Sequence, residues 1–227
     1  MYERMKTQWL GLAFNTLSQG VPFYHFAVDL FRSKSQIRDS YNAGDWFNSV
    51  DLSMTSNHWN RGLPNSNTDG FNWSTWQNVT WQVPAGPSSD DIKAGFAYFR
   101  KLLSVRYSTK LFRLSDANQV NSRVRFLNSG PRGDDRIGIV MMKIDDASCS
   151  YGEDIDPAVN DVVAIFNTRP WPIKVEAYGY RIHPAMTDLA GFNGSAVEIG
   201  GRSSVVIVRD QANGACYTDQ PVFISRT

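Results

Sequence analysis

Val21-Pro22-Phe23-Tyr24-His25-Phe26 is short, aromatic and β-prone, with its proline at the start, where a strand tolerates one. It reads as a buried strand set between two helix-forming stretches. No second strand can be read in the first half of the chain. One strand cannot satisfy its own backbone hydrogen bonds, so this segment predicts neighbours that the surrounding sequence does not supply.

The helix before it is predicted over Tyr2 to Ser18. Met5, Trp9, Leu12, Ala13, Phe14 and Leu17 recur at three- and four-residue spacing, and Gly20 stands just past the end as a stop. A second helix opens at Ser88, Ser89 or Asp90, all good N-caps, and carries an apolar stripe of Ile92, Phe96, Phe99 and Leu103 up to about Tyr107. Residues 32 to 89 lie between the two, rich in Gly, Asn, Ser, Asp and Pro and without clear periodicity. That is far longer than the roughly 12 to 15 residues beyond which an unstructured connection is unusual. Five of the seven tryptophans fall inside it, and disordered segments are poor in aromatics, so the loop reads as ordered and packed. Trp59, Trp73, Trp76 and Trp81 either make a sugar-stacking platform or, the commoner use, pin the loop.

Beyond Leu114 the pattern changes. Strands are predicted at Arg123–Leu127, Ile137–Ile144, Asp161–Phe166, Ile173–Tyr178 and Ser203–Val208, divided by turns such as Asn128-Ser129-Gly130-Pro131. Short strands without intervening helices predict an antiparallel β-sandwich. The fold class is therefore α/β plus all-β, in two unequal domains, 1–113 and 114–227.

Composition narrows the partners. With 23 basic against 22 acidic residues the chain has no electrostatic footprint for nucleic acid, and no apolar run approaches the roughly 18 to 20 residues that cross a bilayer. No signal peptide or transmembrane segment is read. Cys149 and Cys216 are too few for a disulfide framework and too far apart for a CxxC motif, which leans towards a reducing compartment. Phosphate loops, G-x-S-x-G elbows, H-E-x-x-H and EF-hand spacings are absent, and His25, His58 and His183 are scattered singly. No metal or cofactor is expected. His25 is read either as a buried structural histidine or as a pocket residue at the mouth of a sheet.

The densest polar stretch runs from Arg32 to Asn48. It alternates carboxylates, guanidinium groups, amides and aromatics, a mixture that suits sugar hydroxyls and the apolar face of a pyranose. A local ion-pair network of Arg38, Asp39 and Asp45 that merely shapes the loop is the alternative.

Leu17-Ser18-Gln19-Gly20-Val21-Pro22-Phe23, Leu30-Phe31-Arg32-Ser33-Lys34-Ser35, Arg38-Asp39-Ser40-Tyr41-Asn42-Ala43-Gly44-Asp45-Trp46-Phe47-Asn48 and Gly62-Leu63-Pro64 resemble the end of the catalytic barrel of pullulanase-type starch debranching enzymes, which include the plant limit dextrinases. Leu111-Phe112-Arg113-Leu114, Arg123-Val124-Arg125-Phe126 and Gly138-Ile139-Val140-Met141 are similar to the start of that family's C-terminal β-sandwich. The resemblance covers essentially the whole chain. It implies the final portion of a (β/α)8 barrel followed by a β-sandwich, from an endo-hydrolase of α-1,6 linkages in pullulan, amylopectin and limit dextrin. Val21–Phe26 would be the last barrel strand, with the missing N-terminal barrel portion of the same enzyme as its neighbour.

Retaining glycosidases need a nucleophile and an acid/base carboxylate about 5 to 5.5 Å apart, and the resemblance assigns the family's acids to sequence upstream of Met1. No catalytic residue is therefore expected here, and the chain alone should be inactive. Asp39 matches a substrate-contacting aspartate of the family, and Arg38, Asp45 and Trp46 share its motif as further substrate-binding candidates. The chain departs from the family at His25-Phe26-Ala27-Val28-Asp29, where a glycine is filled and a glutamate shortened. Two other readings stay open: a non-catalytic α-glucan-binding protein, and a subunit that complements a separately encoded barrel piece.

Overall fold

The computed structural model describes residues 2–128, 137–146, 153–211 and 222–225. Two units separate, one of Met1–Met5 with Tyr24–Tyr98 and the other of Lys6–Phe23 with Phe99–Thr227. Helices α1 (Tyr2–Leu17) and α5 (Ser89–Ser108) contribute residues to both.

The first unit is helical and loop-rich. Its loop is ordered and contains α2 (Asp45–Asn48), α3 (Ser66–Asp69) and α4 (Trp73–Gln82). None of these three was legible as a periodic pattern: α2 and α3 are one turn each, and α4 has no buried residue to space. Its core joins Ala27, Leu30 and Ile92, with Phe31, Val50, Met54 and Phe96 packed against them. α5 begins where its capping residues predict. The Ser88 amide donates to Asp91 Oδ2 (2.9 Å) and the Asp91 amide to Ser88 Oγ (3.1 Å), a reciprocal cap that satisfies two orphan donors.

Val21–Phe26 is not the buried strand its composition suggests. It pairs with no strand among the described residues, and Val21, Phe23 and Phe26 are exposed. β-propensity expresses fit to a pleated, half-buried surface, and without a ladder beside it the same sequence has no strand to join. His25 is likewise exposed, which removes its reading as a buried structural histidine.

The second unit holds the strands. After α6 (Ala117–Arg123) come β1 (Val124–Phe126), β2 (Ile139–Asp145), β3 (Val159–Asn167), β4 (Ile173–Glu176) and β5 (Arg181–Ile182). They are followed by β6 (Ala190–Phe192), β7 (Ala196–Ile199), β8 (Ser203–Asp210) and β9 (Phe223–Ile224). Two sheets result, in the orders β1-β2-β3-β8-β5 and β6-β7-β4-β9, and every pairing is antiparallel. All five strands read from the sequence are present. β5, β6, β7 and β9, two to four residues long, were not read from the sequence.

In the larger sheet β2, β3 and β8 are buried almost continuously rather than on alternate residues. Such a run means that both faces are covered. The face carrying Phe166 meets α1, where Phe14 stacks on it with ring centroids 4.1 Å apart and planes 12° from parallel. Arg106 fixes the C-terminal end of α1, its Nη1 donating to the Thr16 and Ser18 carbonyls (2.7 and 2.8 Å) and its Nη2 to that of Gly20 (2.5 Å). Two buried ion pairs lie in this unit, Arg123 with Asp146 at 2.8 Å and Arg209 Nε with Asp161 Oδ2 at 2.7 Å. Asn128 belongs to the structured part of the expected turn, its Oδ1 accepting from the Met141 amide at 2.9 Å. Ser129 to Pro131, and both Cys149 and Cys216, lie outside the described residues.

Candidate functional site

The loop that leaves Phe26 is built from backbone that most side chains avoid. Nine non-glycine residues among those described have positive φ, and eight of them fall between Ala27 and Asn60. Left-handed backbone costs of order 1–3 kcal/mol at each non-glycine position and persists only where surrounding bonds over-determine it. Here those bonds are visible. Ser35, at φ 46°, donates from Oγ to the Gly62 carbonyl (2.9 Å) and accepts from the Arg61 amide (2.9 Å). Ser33 Oγ donates to the Asn57 carbonyl (2.9 Å), and Asn57 Nδ2 returns to the Phe31 carbonyl (2.8 Å). Asp51 accepts from the amides of Ser53, Thr55 and Ser56 and from the hydroxyls of Ser53 and Thr55, the Ser53 and Thr55 hydroxyls contributing most to holding its carboxyl well below the usual range.

The four candidates from the sequence all sit on this loop and all are exposed. Asp39 turns its Oδ1 to the Tyr41 amide (3.1 Å), an Asx turn that leaves the rest of the carboxylate to solvent. Asp45 opens α2, and Trp46 follows with 55% of its surface accessible. Asn48 binds the two halves together: it accepts from Ser40 Oγ at 3.0 Å, beside Asp39, and donates to the Gly44 carbonyl at 3.4 Å, beside Asp45. Arg38 is ion-paired, but with buried Asp69 at 3.6 Å and not with Asp39 or Asp45, and it lies 5.8 Å from the Phe71 ring centre. The local network of Arg38, Asp39 and Asp45 is thus not formed, and both aspartates keep free acceptor capacity.

Sequence reasoning missed the residues that hold these four in place. Arg61 lies over the Trp46 ring at 3.9 Å, and its Nη1 donates to Ser49 Oγ (2.6 Å) and His58 Nδ1 (2.9 Å). His58 Nδ1 also lies 3.1 Å from Ser49 Oγ and 3.2 Å from the Ser49 carbonyl, so Arg61, His58 and Ser49 form one cluster beside the ring. Asn48 stood in the matched motif and Arg61 directly precedes Gly62-Leu63-Pro64, which was the available signal. Trp59 and Trp73 serve the packing role, their indole N–H groups bonded to the Val83 and Pro64 carbonyls at 2.8 and 2.9 Å. A recess lined by Arg32, Ser49, Val50, Asp51, Asn57 and His58 has a volume of about 10 Å³, room for one water and not for a sugar. Among the described residues no cluster of three or more His, Cys, Asp or Glu could hold a metal ion. The loop presents an aromatic face, two carboxylates and the Arg38 guanidinium to solvent on backbone tied together by hydrogen bonds.

A family model described as alpha-1,6-glucosidases, pullulanase-type, C-terminal, matches residues 54–204. The chain belongs to this family, as a C-terminal part of a pullulanase. Pullulanase 1, chloroplastic, of Arabidopsis thaliana is 41% identical over 170 residues, covering 74% of this chain and 17% of that protein. The crystal structure of PulA from Klebsiella oxytoca superposes with a TM-score of 0.89 at 29% identity, covering 97% of this chain and 22% of that one. The maltotriose complex of PulA from Klebsiella pneumoniae gives 0.85 at 29% identity, over 94% of this chain and 24% of that one. The chain therefore spans about a fifth of these relatives' length.

Proposed function

We propose that this chain is the substrate-side, C-terminal portion of a pullulanase or limit dextrinase that hydrolyses α-1,6-glucosidic branch linkages in starch-type glucans. Residues 1–113 would end a (β/α)8 barrel and 114–227 would form the β-sandwich behind it. Arg38, Asp39, Asp45 and Trp46 would contact the glucan, and the catalytic carboxylates would come from the preceding part of the barrel, leaving this chain inactive alone. One observation carries the reading: an exposed tryptophan and two exposed aspartates stand on a loop whose neighbouring backbone is costly to form and heavily cross-bonded, in a chain of the pullulanase-type family.

The test has two arms. Incubated with pullulan, the purified chain should release no reducing ends above buffer, and a clear rate abolished by Asp39→Ala would show that the chemistry lies here after all. In amylopectin gels its mobility should be retarded, and Asp39→Ala should relieve the retardation. Unretarded wild-type chain would leave the glucan contact unsupported.

A second reading, a subunit that complements a separately encoded barrel piece, draws on the exposure of Val21, Phe23 and Phe26. Co-purification with an upstream pullulanase fragment would favour it, and failure to associate would remove it.

A further inference from the structure

Trp46 is an unusual residue to leave in water on a rigid loop, and the structure shows what covers one of its faces. The Arg61 guanidinium stacks over the ring at 3.9 Å, while 55% of the tryptophan's surface stays accessible. The arginine is itself held from three directions. Nη1 donates to Ser49 Oγ at 2.6 Å, to His58 Nδ1 at 2.9 Å and, more weakly, to the Trp46 carbonyl at 3.5 Å. Its own backbone amide donates to Ser35 Oγ at 2.9 Å, and Ser35 is buried with its left-handed backbone locked against Gly62.

An aromatic ring with a cation fixed on one face cannot rotate about its side-chain bonds without breaking that contact, and its opposite face is the one left for a ligand. The cation also draws on the ring's electron density, but its main effect is geometric: it lowers the rotational freedom that a bound sugar would otherwise have to remove.

We infer that Arg61 is a positioning residue, which clamps Trp46 so that the open face of the indole is presented to a pyranose ring of the α-glucan. The inference rests on the proposed glucan site at Arg38, Asp39, Asp45 and Trp46 and adds to it the device that orders the ring. His58 and Ser49 act one step further back, as the acceptors that hold the guanidinium flat. Lysine at position 61 would keep the charge but lose the flat guanidinium, which stacks on the ring while its Nη1 reaches Ser49 and His58.

The test uses the 227-residue chain labelled with 5-fluorotryptophan, with maltotriose as the probe and the Trp46→Phe variant assigning the Trp46 fluorine resonance. Maltotriose should shift the Trp46 resonance of the wild type. Arg61→Leu should move and broaden that resonance in the absence of sugar and weaken maltotriose binding about tenfold, with Arg61→Lys in between. Thermal unfolding of each variant separates loss of the clamp from loss of the fold, and Ser49→Ala, which keeps the guanidinium but removes its 2.6 Å acceptor, gives a milder version of the same shift if Arg61→Leu does not fold. An unchanged Trp46 resonance and unchanged affinity in folded Arg61→Leu would overturn the clamp while leaving the glucan site standing. Wild-type chain whose Trp46 signal ignores maltotriose, with Trp46→Ala binding as well as wild type, would overturn the glucan site and the clamp with it.

Discussion

Arg32 donates through Nη2 to both oxygens that Asn48 offers, the backbone carbonyl at 2.8 Å and the side-chain carbonyl at 3.2 Å. Sixteen residues apart in sequence, the two close the loop on which the candidate site stands. Asn48 is satisfied on all sides, since Ser40 Oγ also donates to its Oδ1 and its Nδ2 reaches the Ser40 and Gly44 carbonyls. Asn48→Ala removes four side-chain bonds together and leaves the Arg32 guanidinium short of an acceptor. The expected cost is about 1–3 kcal/mol of local stability. Amide exchange should therefore speed up across residues 38–49, with the strands of the second unit unaffected. Exchange that stays unchanged there would mean the loop is held by something other than this hub.

Much of that loop could not have been read in advance, for a physical reason. Left-handed backbone leaves a trace in sequence when glycine supplies it, as at Gly44 and Gly62, but Lys34, Ser35 and Gln36 adopt it in succession and carry no such mark. Arg38 finds Asp69 and Trp46 finds Arg61 across intervals fixed by no helical or strand period. The long helices α1 and α5 were legible because each repeats an apolar stripe over four or more turns, and β2, β3 and β8 because each is centred on a short run of mostly β-branched and apolar residues. Val21–Phe26 was misread for the complementary reason: the right residues for a strand were present without a ladder beside them.

In the second unit, Arg123 and Asp146 form an ion pair with 2% and 0% of their side chains exposed. Asp146 is further held by the amides of Ile155 (3.0 Å) and Asp156 (2.5 Å), and Arg123 Nη2 donates to the Glu153 carbonyl (2.7 Å). Removing one partner strands the other charge away from water, so Asp146→Ala should cost about 3–5 kcal/mol. Replacing both with apolar residues, Arg123→Met with Asp146→Leu, should cost less than the single change. Urea midpoints measured on the three chains decide it, and a double variant less stable than Asp146→Ala would contradict the account.

His183 gives the second unit a dependence on pH. Its Nδ1 accepts from the Ala185 amide at 3.2 Å, which leaves the proton on Nε2 to face Ser108 Oγ at 3.0 Å. Burial first, and the charge of Arg181 second, push its pKa below the ordinary 6.5. The neutral ring is thus the folded form, and the unfolded chain binds the extra proton as pH falls below about 6.5. The stabilisation is complete above that value and is lost as pH falls through the lowered one. Urea midpoints of the wild type should decline from about pH 7.5 to about pH 5 more steeply than those of His183→Gln. Parallel curves for the two chains would show that His183 is not the titrating group.

Gly95 lies inside α5, where alanine would ordinarily favour the helix by about 1 kcal/mol. At this position the added Cβ would come 2.6 Å from Cε2 and 2.7 Å from Cζ of Phe31, and 3.1 Å from the Asp29 carbonyl oxygen. Phe31 has little room to yield, because it packs against the core of Ala27, Leu30 and Ile92 and its own backbone is left-handed at φ 56°. Overpacking should outweigh propensity, and Gly95→Ala is expected to destabilise the first unit by about 1–3 kcal/mol. Shortening the ring should relieve the clash. Gly95→Ala with Phe31→Leu is therefore expected to recover part of the loss, although Phe31→Leu alone destabilises by opening a void. Thermal unfolding of the two single variants and the double variant tests the coupling. Losses that simply add would mean that the helix and the ring do not meet as the packing indicates.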